Sequence, residues 1–292
     1  YQIGNVFRDE PIKPGRYREF TQCDADIIGD DSIKADFECL LLAKKIMNEL
    51  KIDYIILVNN RKLLNSILKN LEITNIDSVL REIDKLDKQG EDAVKQELSK
   101  FLSKQVILKL FKLFDKKIDN FKKFEGYKEI KELVKLCKGN DINVKFNLGL
   151  ARGLSYYTGN IFEVKQKEKK KEVGFTIAAG GRYDKKLELE NYIPAVGISF
   201  GLDRLTELSK IKTENIDYLI ININQDKKCF ELAEKLRKNG KSVIISDKIS
   251  KGLDYANSLS IPNVIFLGKE EVKKKKYKLR DMKTGKESLI KI

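Results

Sequence analysis

The first 28 residues alternate between polar and apolar positions on either side of a loop. A short strand is predicted to end near Arg8, and the prolines and glycine of residues 11–15 then predict a loop. Residues 16–28 predict a second strand. If no bulge intervenes, alternation places four of its side chains on one face: Phe20, Gln22, Asp24 and Asp26. An amide and two carboxylates are unusual in a core, so this face predicts either a polar ligand pocket or a solvent-exposed sheet face.

After the second strand, the apolar residues recur at helical spacing. Residues 35–50 predict a helix that Asp31 or Ser32 could cap, and residues 54–59 predict an apolar strand. The lysine-rich segment 62–132 has few turn signals, and we interpret it as a helical module inserted between two halves of a sheet. Its candidate core positions are Phe101, Val106, Leu110, Phe114 and Phe121. A plain helical spacer and an RNA-binding module explain this segment equally well.

Three glycine-containing blocks come next. Residues 152–159 read Arg-Gly-Leu-Ser-Tyr-Tyr-Thr-Gly, which suggests a cation where the backbone approaches a ligand closely. In a strand, the adjacent tyrosines would point to opposite faces, and an ordinary strand with a turn at Gly159 is the alternative interpretation. Residues 180–184 read Gly-Gly-Arg-Tyr-Asp at the end of a strand. Residues 195–205 predict a strand running into a helix, whose N-terminus favours phosphate.

From about Thr213 the pattern changes to short strands and helices that alternate. This pattern predicts a small α/β domain with a mostly parallel sheet. The predicted domains are therefore residues 1–212, with the helical module inside, and residues 213–292. A chain of 292 residues is long enough for two such domains.

Composition restricts the chemistry. The net charge of +14 suits a polyanionic partner such as RNA, but the bias of AT-rich genes towards lysine explains it equally well. The chain has no histidine, which excludes Ser-His-Asp catalysis and a histidine general base. Its four cysteines form no C-x-x-C pair, so we predict reduced cytoplasmic thiols rather than a zinc site. No apolar run reaches the roughly 18 residues of a membrane span.

Four of these blocks together resemble the histidyl-tRNA synthetase family, in the same order. Residues 1–29 resemble class II motif 2 in its archaeal or eukaryotic form, including Gly-Arg-Tyr-Arg-Glu-Phe and Gln-Cys-Asp-Ala-Asp-Ile. Residues 150–163 and 179–184 resemble the two histidine-specific blocks, and residues 195–205 resemble motif 3. The region after Asn215 is similar to the anticodon-binding domain of the family. The resemblance implies an α+β class II catalytic domain with an antiparallel sheet and a helical insertion, followed by a small α/β anticodon-binding domain.

The resemblance also implies a set of ATP-binding residues: Arg8, Glu10, Arg16, Phe20 and Arg204. Arg8 would contact the α-phosphate, Arg16 and Arg204 would hold the outer phosphates, and Glu10 and Phe20 would contact adenine. The implied histidine-binding set is Arg8, Gln22, Asp26, Arg152, Tyr156 and Tyr157. In it Asp26 and Tyr157 would face the imidazole, Tyr156 would help to form the pocket, Gln22 would bind the amino acid backbone, and Arg8 would bind the carboxylate. Arg8 and Arg152 would be catalytic, since fixed cations stabilise charge on the phosphoryl oxygens.

The implied activity is ATP-dependent ligation of L-histidine to tRNA(His) through a histidyl-adenylate, in a cytoplasmic homodimer. Mg²⁺ is expected on the ATP phosphates, although no carboxylate cage for it stands out. Two features depart from the family: Ser155 replaces a usual aspartate, and the N-terminal motif 1 region is expected to be missing, since the chain starts at Tyr1. The alternatives are a regulatory paralogue without aminoacylation activity and an RNA-binding fragment that is inactive without motif 1.

Overall fold

The structure is a computed structural model that describes residues 1–9, 12, 17–151, 156–167, 174–184, 193–211, 216–247 and 249–291. The chain divides into two compact units, Tyr1–Lys210 and Ile211–Ile292. Within the described residues, no helix combines the length and the apolar character that crossing a bilayer requires. All four cysteines are unpaired, and three of them are buried.

Seven strands of the described part form the sheet of the first unit. They are β1 (Gln2–Phe7), β2 (Glu19–Ile28), β3 (Tyr54–Asn60), β4 (Val144–Phe146), β5 (Asn160–Gln166), β6 (Thr176–Arg182) and β7 (Ala195–Gly201). Their spatial order is β1-β2-β7-β6-β5-β3-β4. All neighbouring strands are antiparallel except β3 and β4, which are parallel. The sheet is therefore antiparallel where the predicted blocks meet.

The two faces of β2 differ in polarity, as the alternation predicts. Cys23, Ala25 and Ile27 pack against the core beneath helix α1 (Ile33–Glu49), which Ser32 precedes. The opposite face carries Phe20, Gln22, Asp24 and Asp26, and Gln22 Nε2 donates to Asp24 Oδ1 at 2.7 Å. A polar face can persist here because one side of β2 already provides the apolar packing.

A helical module separates β3 from β4. It comprises α2 (Arg61–Asn70), α3 (Ile76–Ile83), α4 (Leu86–Gln89), α5 (Glu91–Leu98), α6 (Lys104–Phe114), a 3₁₀ turn (Ile118–Phe121) and α7 (Tyr127–Gly139). Asn60 caps α2 by accepting from Leu63 N at 3.1 Å, and its Nδ2 donates to Asn160 of β5 at 2.9 Å. Leu110 and Phe121 are buried as predicted, but the prediction of Phe101 as core is wrong. That residue is 42% exposed, because it lies in the turn after α5.

β7 leads directly into α8 (Leu202–Leu208), the strand-to-helix step predicted for this block. The second unit then contains β8 (Tyr218–Asn222), α9 (Asp226–Lys238), β9 (Val243–Ser246), α10 (Ile249–Ser258), β10 (Asn263–Leu267), α11 (Lys269–Lys274), β11 (Tyr277–Asp281) and β12 (Glu287–Ile290). The sheet order is β12-β11-β10-β8-β9, with parallel pairing of β8 to both β9 and β10. The antiparallel hairpin β11–β12 was not predicted, because its strands are short and rich in charged residues.

Candidate active site

An open cavity of about 290 Å³ lies where β2, β6, β7 and α8 meet. Its lining includes six of the predicted site residues: Arg8, Phe20, Gln22, Tyr156, Tyr157 and Arg204. Asp26 is not among the lining residues, but its carboxylate bonds to Tyr183 beside the paired tyrosines. Glu10, Arg16 and Arg152 lie outside the described residues, so their predicted roles stay predictions. The antiparallel pairing of strands distant in sequence therefore gathers most of the described set at one place.

Two arginines reach this cavity from different elements. The Arg8 guanidinium carbon lies 4.4 Å from the centre of the Phe20 ring, and Arg8 Nε donates to the carbonyl oxygen of Tyr17 at 2.8 Å. This cation–π contact holds Arg8 just beyond the end of β1. Arg204, in the first turn of α8, donates to the carbonyl oxygen of Thr176. Guanidinium groups of this kind can bind an anion such as a phosphate.

At the other end of β2, the side chain of Asp26 fills the space that a side chain at position 197 would need. The β2–β7 register pairs Asp26 with Gly197. A Cβ atom at position 197 would lie 1.9 Å from Asp26 Oδ1, well inside van der Waals contact. The Asp26 carboxylate accepts a hydrogen bond from the Tyr183 hydroxyl at 2.5 Å. The missing side chain of Gly197 therefore allows Asp26 to lie against β7.

The two adjacent tyrosines do not point to opposite faces of a strand, and that prediction is wrong. Tyr156 lies in a turn, and β5 begins only at Asn160. The rings of Tyr156 and Tyr157 are 4.5 Å apart at their centres, and their hydroxyls are 3.5 Å apart. Because the turn lacks the pleat of a strand, both rings line the same cavity.

Tyr183 is a candidate site residue that the sequence analysis did not single out. Its ring packs edge-on against Tyr156, with centres 6.2 Å apart, and its hydroxyl binds Asp26. Burial, followed by the hydrogen bond to Asp26, raises the pKa of Tyr183 above its ordinary value. The phenol therefore stays protonated at neutral pH and donates to the carboxylate. The signal was available, since Tyr183 lies within the Gly-Gly-Arg-Tyr-Asp block.

This arrangement suits a ligand with two different ends. The arginines stabilise a carboxylate or phosphate, and Asp26 with the tyrosine hydroxyls can bind a polar ring that donates hydrogen bonds. Fixed cations lower the barrier to phosphoryl transfer without a protein nucleophile. The site can therefore activate a carboxylate with a nucleoside triphosphate.

Comparisons with known proteins give consistent matches for both parts of the chain. A family model described as "Histidyl-tRNA synthetase" matches residues 1–205, and one described as "Anticodon binding domain" matches residues 217–292. A "Histidine--tRNA ligase 1" of Bacillus cereus is 37% identical over 98% of this chain and 73% of its own length. "Histidine--tRNA ligase" of Clostridium acetobutylicum is 37% identical over 100% and 75%. The crystal structure of histidyl-tRNA synthetase from Nostoc sp. PCC 7120 superposes with a TM-score of 0.83 at 25% identity, covering 100% of this chain and 75% of that one.

Proposed function

Because the chain belongs to the histidyl-tRNA synthetase family, we propose that it ligates L-histidine to tRNA(His) with ATP, through a histidyl-adenylate. The predicted fold, a class II catalytic domain followed by an anticodon-binding domain, is confirmed. The observation that carries the proposal is the cavity, which Arg8, Arg204 and the paired tyrosines line, with the Asp26–Tyr183 pair packed next to Tyr156. These are the two kinds of group that a histidine and a triphosphate require.

In the proposed mechanism, Asp26 accepts a hydrogen bond from one imidazole nitrogen, and the hydroxyl of Tyr157 faces the other. Gln22 binds the amino acid backbone, with its amide held by Asp24. Arg8 holds the histidine carboxylate against the α-phosphate, so that the carboxylate oxygen attacks phosphorus and pyrophosphate leaves. Arg152 adds charge stabilisation at the α-phosphate. The terminal ribose hydroxyl of the tRNA then attacks the adenylate carbonyl and releases AMP.

The ATP phosphates face a second set of groups. Arg204 and Arg16 are assigned to the outer phosphates, with Phe20 and Glu10 at the adenine. Among the described residues there is no cluster of three or more metal-ligating side chains. The carboxylates of Asp203 and Glu207 line the cavity next to Arg204. Magnesium commonly takes one or two carboxylates together with substrate phosphates, so these two side chains fit it. Bound there, it would neutralise phosphate charge.

The finer assignments are also proposals. We assign residues 1–212 to catalysis, with the helical module at about 62–132, and residues 213–292 to tRNA binding. We expect a homodimer in the cytoplasm. The sequence also predicted an archaeal or eukaryotic form of motif 2 and a missing motif 1. The comparisons support neither of these two predictions, and the relatives named above are bacterial. The regulatory alternative is less favoured, because the second unit matches the anticodon-binding model.

A pyrophosphate-exchange assay on the full-length product of the gene tests the proposal. Histidine should support exchange, and glutamine should not. A site that hydrogen-bonds both ring nitrogens rejects a side chain that cannot match them, because its buried polar groups are left unpaired. Equal exchange with both amino acids would refute the assignment, and exchange with neither would favour the regulatory or RNA-binding alternatives.

A further inference from the structure

A buried charged cluster lies behind the tyrosines of the cavity, and the proposed chemistry does not use it. We call it the Arg182 cluster, and it consists of Arg182, Asp36, Asp184 and Thr158. Arg182 is 5% exposed, Asp36 is 0% exposed, and Asp184 is 6% exposed. Arg182 Nε donates to Asp36 at 3.0 Å, and Nη2 binds the same carboxylate. Nη1 lies 3.4 Å from Asp184 Oδ1.

The remaining donors of Arg182 reach the start of α1. Nη1 donates to the carbonyl oxygen of Asp30 at 3.0 Å, and Nη2 donates to that of Ser32, also at 3.0 Å. All five N–H groups of this guanidinium therefore have an acceptor. The cluster is fully satisfied on its cationic side, so its geometry is set by several directional bonds at once.

The cluster joins the two segments that carry the tyrosines. Thr158 directly follows Tyr157, and its backbone N–H donates to the carbonyl oxygen of Arg182 at 2.8 Å. The Thr158 hydroxyl lies 3.1 Å from Asp184 Oδ2, and the Asp184 N–H donates back to that hydroxyl at 3.2 Å. Tyr183 lies between Arg182 and Asp184 in the chain. Tyr157 and Tyr183 are thus each one residue away from a bonded member of the cluster.

The same cluster also reaches the strand on which Asp26 rests. Asp184 Oδ1 accepts from Ala195 N at 3.0 Å, at the first residue of β7. Tyr183 N donates to the carbonyl oxygen of Ala195 at 2.8 Å. Gly197, which supports Asp26, is two residues further along β7. Tyr157, Tyr183 and Asp26 are therefore all positioned relative to one buried group of charges.

Stability alone does not explain such a cluster. A buried ion pair contributes little beyond what well-packed apolar side chains of similar volume would contribute, because both charges lose their hydration. This cluster also places two carboxylates around one guanidinium. What it supplies, and an apolar core would not, is a fixed direction for each bond. Burial lowers the pKa of Arg182, but the hydrogen bonds and charges of Asp36 and Asp184 outweigh this effect and raise it, so the cation persists.

We propose that Arg182, Asp184 and Thr158 are positioning residues that set the separation of Tyr157 and Tyr183, and with it the width of the pocket for the imidazole ring. The inference rests on the proposed function of that pocket. It assigns the cluster no contact with substrate and no step in the reaction. Its effect is on how well the ring is bound.

The Thr158 hydroxyl offers the sharpest test, because it can be removed with little change of shape. Thr158→Val keeps the backbone bond to Arg182 and loses the link to Asp184. Thr158→Ser keeps the hydroxyl. In pyrophosphate exchange on the full-length protein, Thr158→Val should raise the KM for histidine about tenfold, the scale of one hydrogen bond to a charged group. The KM for ATP should change less than about twofold, and Thr158→Ser should behave like the wild type.

A matched control separates positioning from loss of stability. Val94 is fully buried in α5 of the helical module, and the residues that line the cavity come from other parts of the chain. Val94→Ala should lower the melting temperature, because it leaves a cavity in the core, and should leave the KM for histidine unchanged. Asp184→Asn provides a second variant, with the same histidine-specific rise expected even if Thr158→Val does not fold.

Three outcomes would overturn the inference. A folded Thr158→Val or Asp184→Asn protein with an unchanged KM for histidine would refute positioning. A rise in the KM for histidine in Val94→Ala equal to that in Thr158→Val would mean that this KM follows stability. Absence of histidine-dependent exchange in the wild type would remove the proposed function and this inference together, whereas the first two outcomes leave the proposed function intact.

Discussion

Adding one methyl group at Gly197 should weaken histidine binding while the sheet still folds. A Cβ atom there would lie 1.9 Å from Asp26 Oδ1 and 2.8 Å from Asp26 Cγ. The next atom, the carbonyl oxygen of Ala25, would lie 3.2 Å from the new Cβ, a contact that only a small shift of the backbone would relieve. The strand itself is paired on both sides, with β2 and with β6. The Asp26 carboxylate is therefore the group that moves.

Turning Asp26 away breaks its hydrogen bond with the Tyr183 hydroxyl and removes the same carboxylate from the imidazole. A hydrogen bond to a charged group contributes about 1.5–3 kcal/mol. Gly197→Ala should accordingly lower the free energy of unfolding by about 1–3 kcal/mol, which is also the usual range for overpacking. Loss of the hydrogen bond between the Asp26 carboxylate and the histidine ligand corresponds to a rise of roughly 10- to 150-fold in the KM for histidine.

The measurements are histidine-dependent pyrophosphate exchange and urea unfolding, each compared with Gly139→Ala. That control adds the same methyl group to α7, where nothing lies within 4 Å of the new atom. The Gly139→Ala variant should leave the KM for histidine and the KM for ATP unchanged. The reasoning fails if Gly197→Ala folds and binds histidine as tightly as the wild type, because Asp26 would then have room that the structure does not give it.

Arg152→Ala should slow adenylate formation at least about 100-fold, with only partial recovery in Arg152→Lys, and near-normal single-turnover rates in the alanine variant would assign Arg152 a structural role. Removing residues 211–292 should preserve pyrophosphate exchange if the rest folds and dimerises, but raise the Michaelis constant for tRNA. An unchanged Michaelis constant for tRNA would mean that the second unit has a structural role. Added salt should weaken the binding of tRNA to the intact protein. Burial and Asp26 raise the pKa of Tyr183, so its contribution to stability is complete below about pH 10 and declines as the pH rises further. Tyr183→Phe should therefore lose less stability than the wild type in alkaline urea titrations, and parallel losses would refute this.

The sequence predicted local features well and contacts between distant strands poorly. Period-two alternation predicted the polar face of β2, since Gln22 and Asp24 are bonded on it. The Asp26–Tyr183 contact depends on the order β2-β7-β6, and periodicity carries no information about strand order or register. Asp36 was missed for a related reason. Helical periodicity finds apolar stripes, whereas this carboxylate is buried only because Arg182, 146 positions away, meets it there.

The error over the paired tyrosines has a different cause. Tyrosine is common in strands, so its propensity alone places Tyr156 and Tyr157 in one. In the structure the segment turns before β5, and Thr158 bonds to Arg182 and Asp184 instead of joining a ladder. The tertiary partners decided the local conformation, and they lie outside any local window of sequence.

The pairing of β2 with β7 also sets the timing of folding during synthesis. Ile28 pairs with Ala195, so the N-terminal hairpin has no neighbour at the centre of the sheet until β7 has been made. At roughly 5–20 residues per second, the intervening stretch of about 170 residues takes on the order of 10–35 seconds to synthesise. During that interval the edge of β2 that later pairs with β7 offers its backbone hydrogen bonds to any other strand. Polar side chains on one face of β2 lower the risk of aggregation during this interval, because an unpaired strand with Gln22, Asp24 and Asp26 is a poor template for other strands.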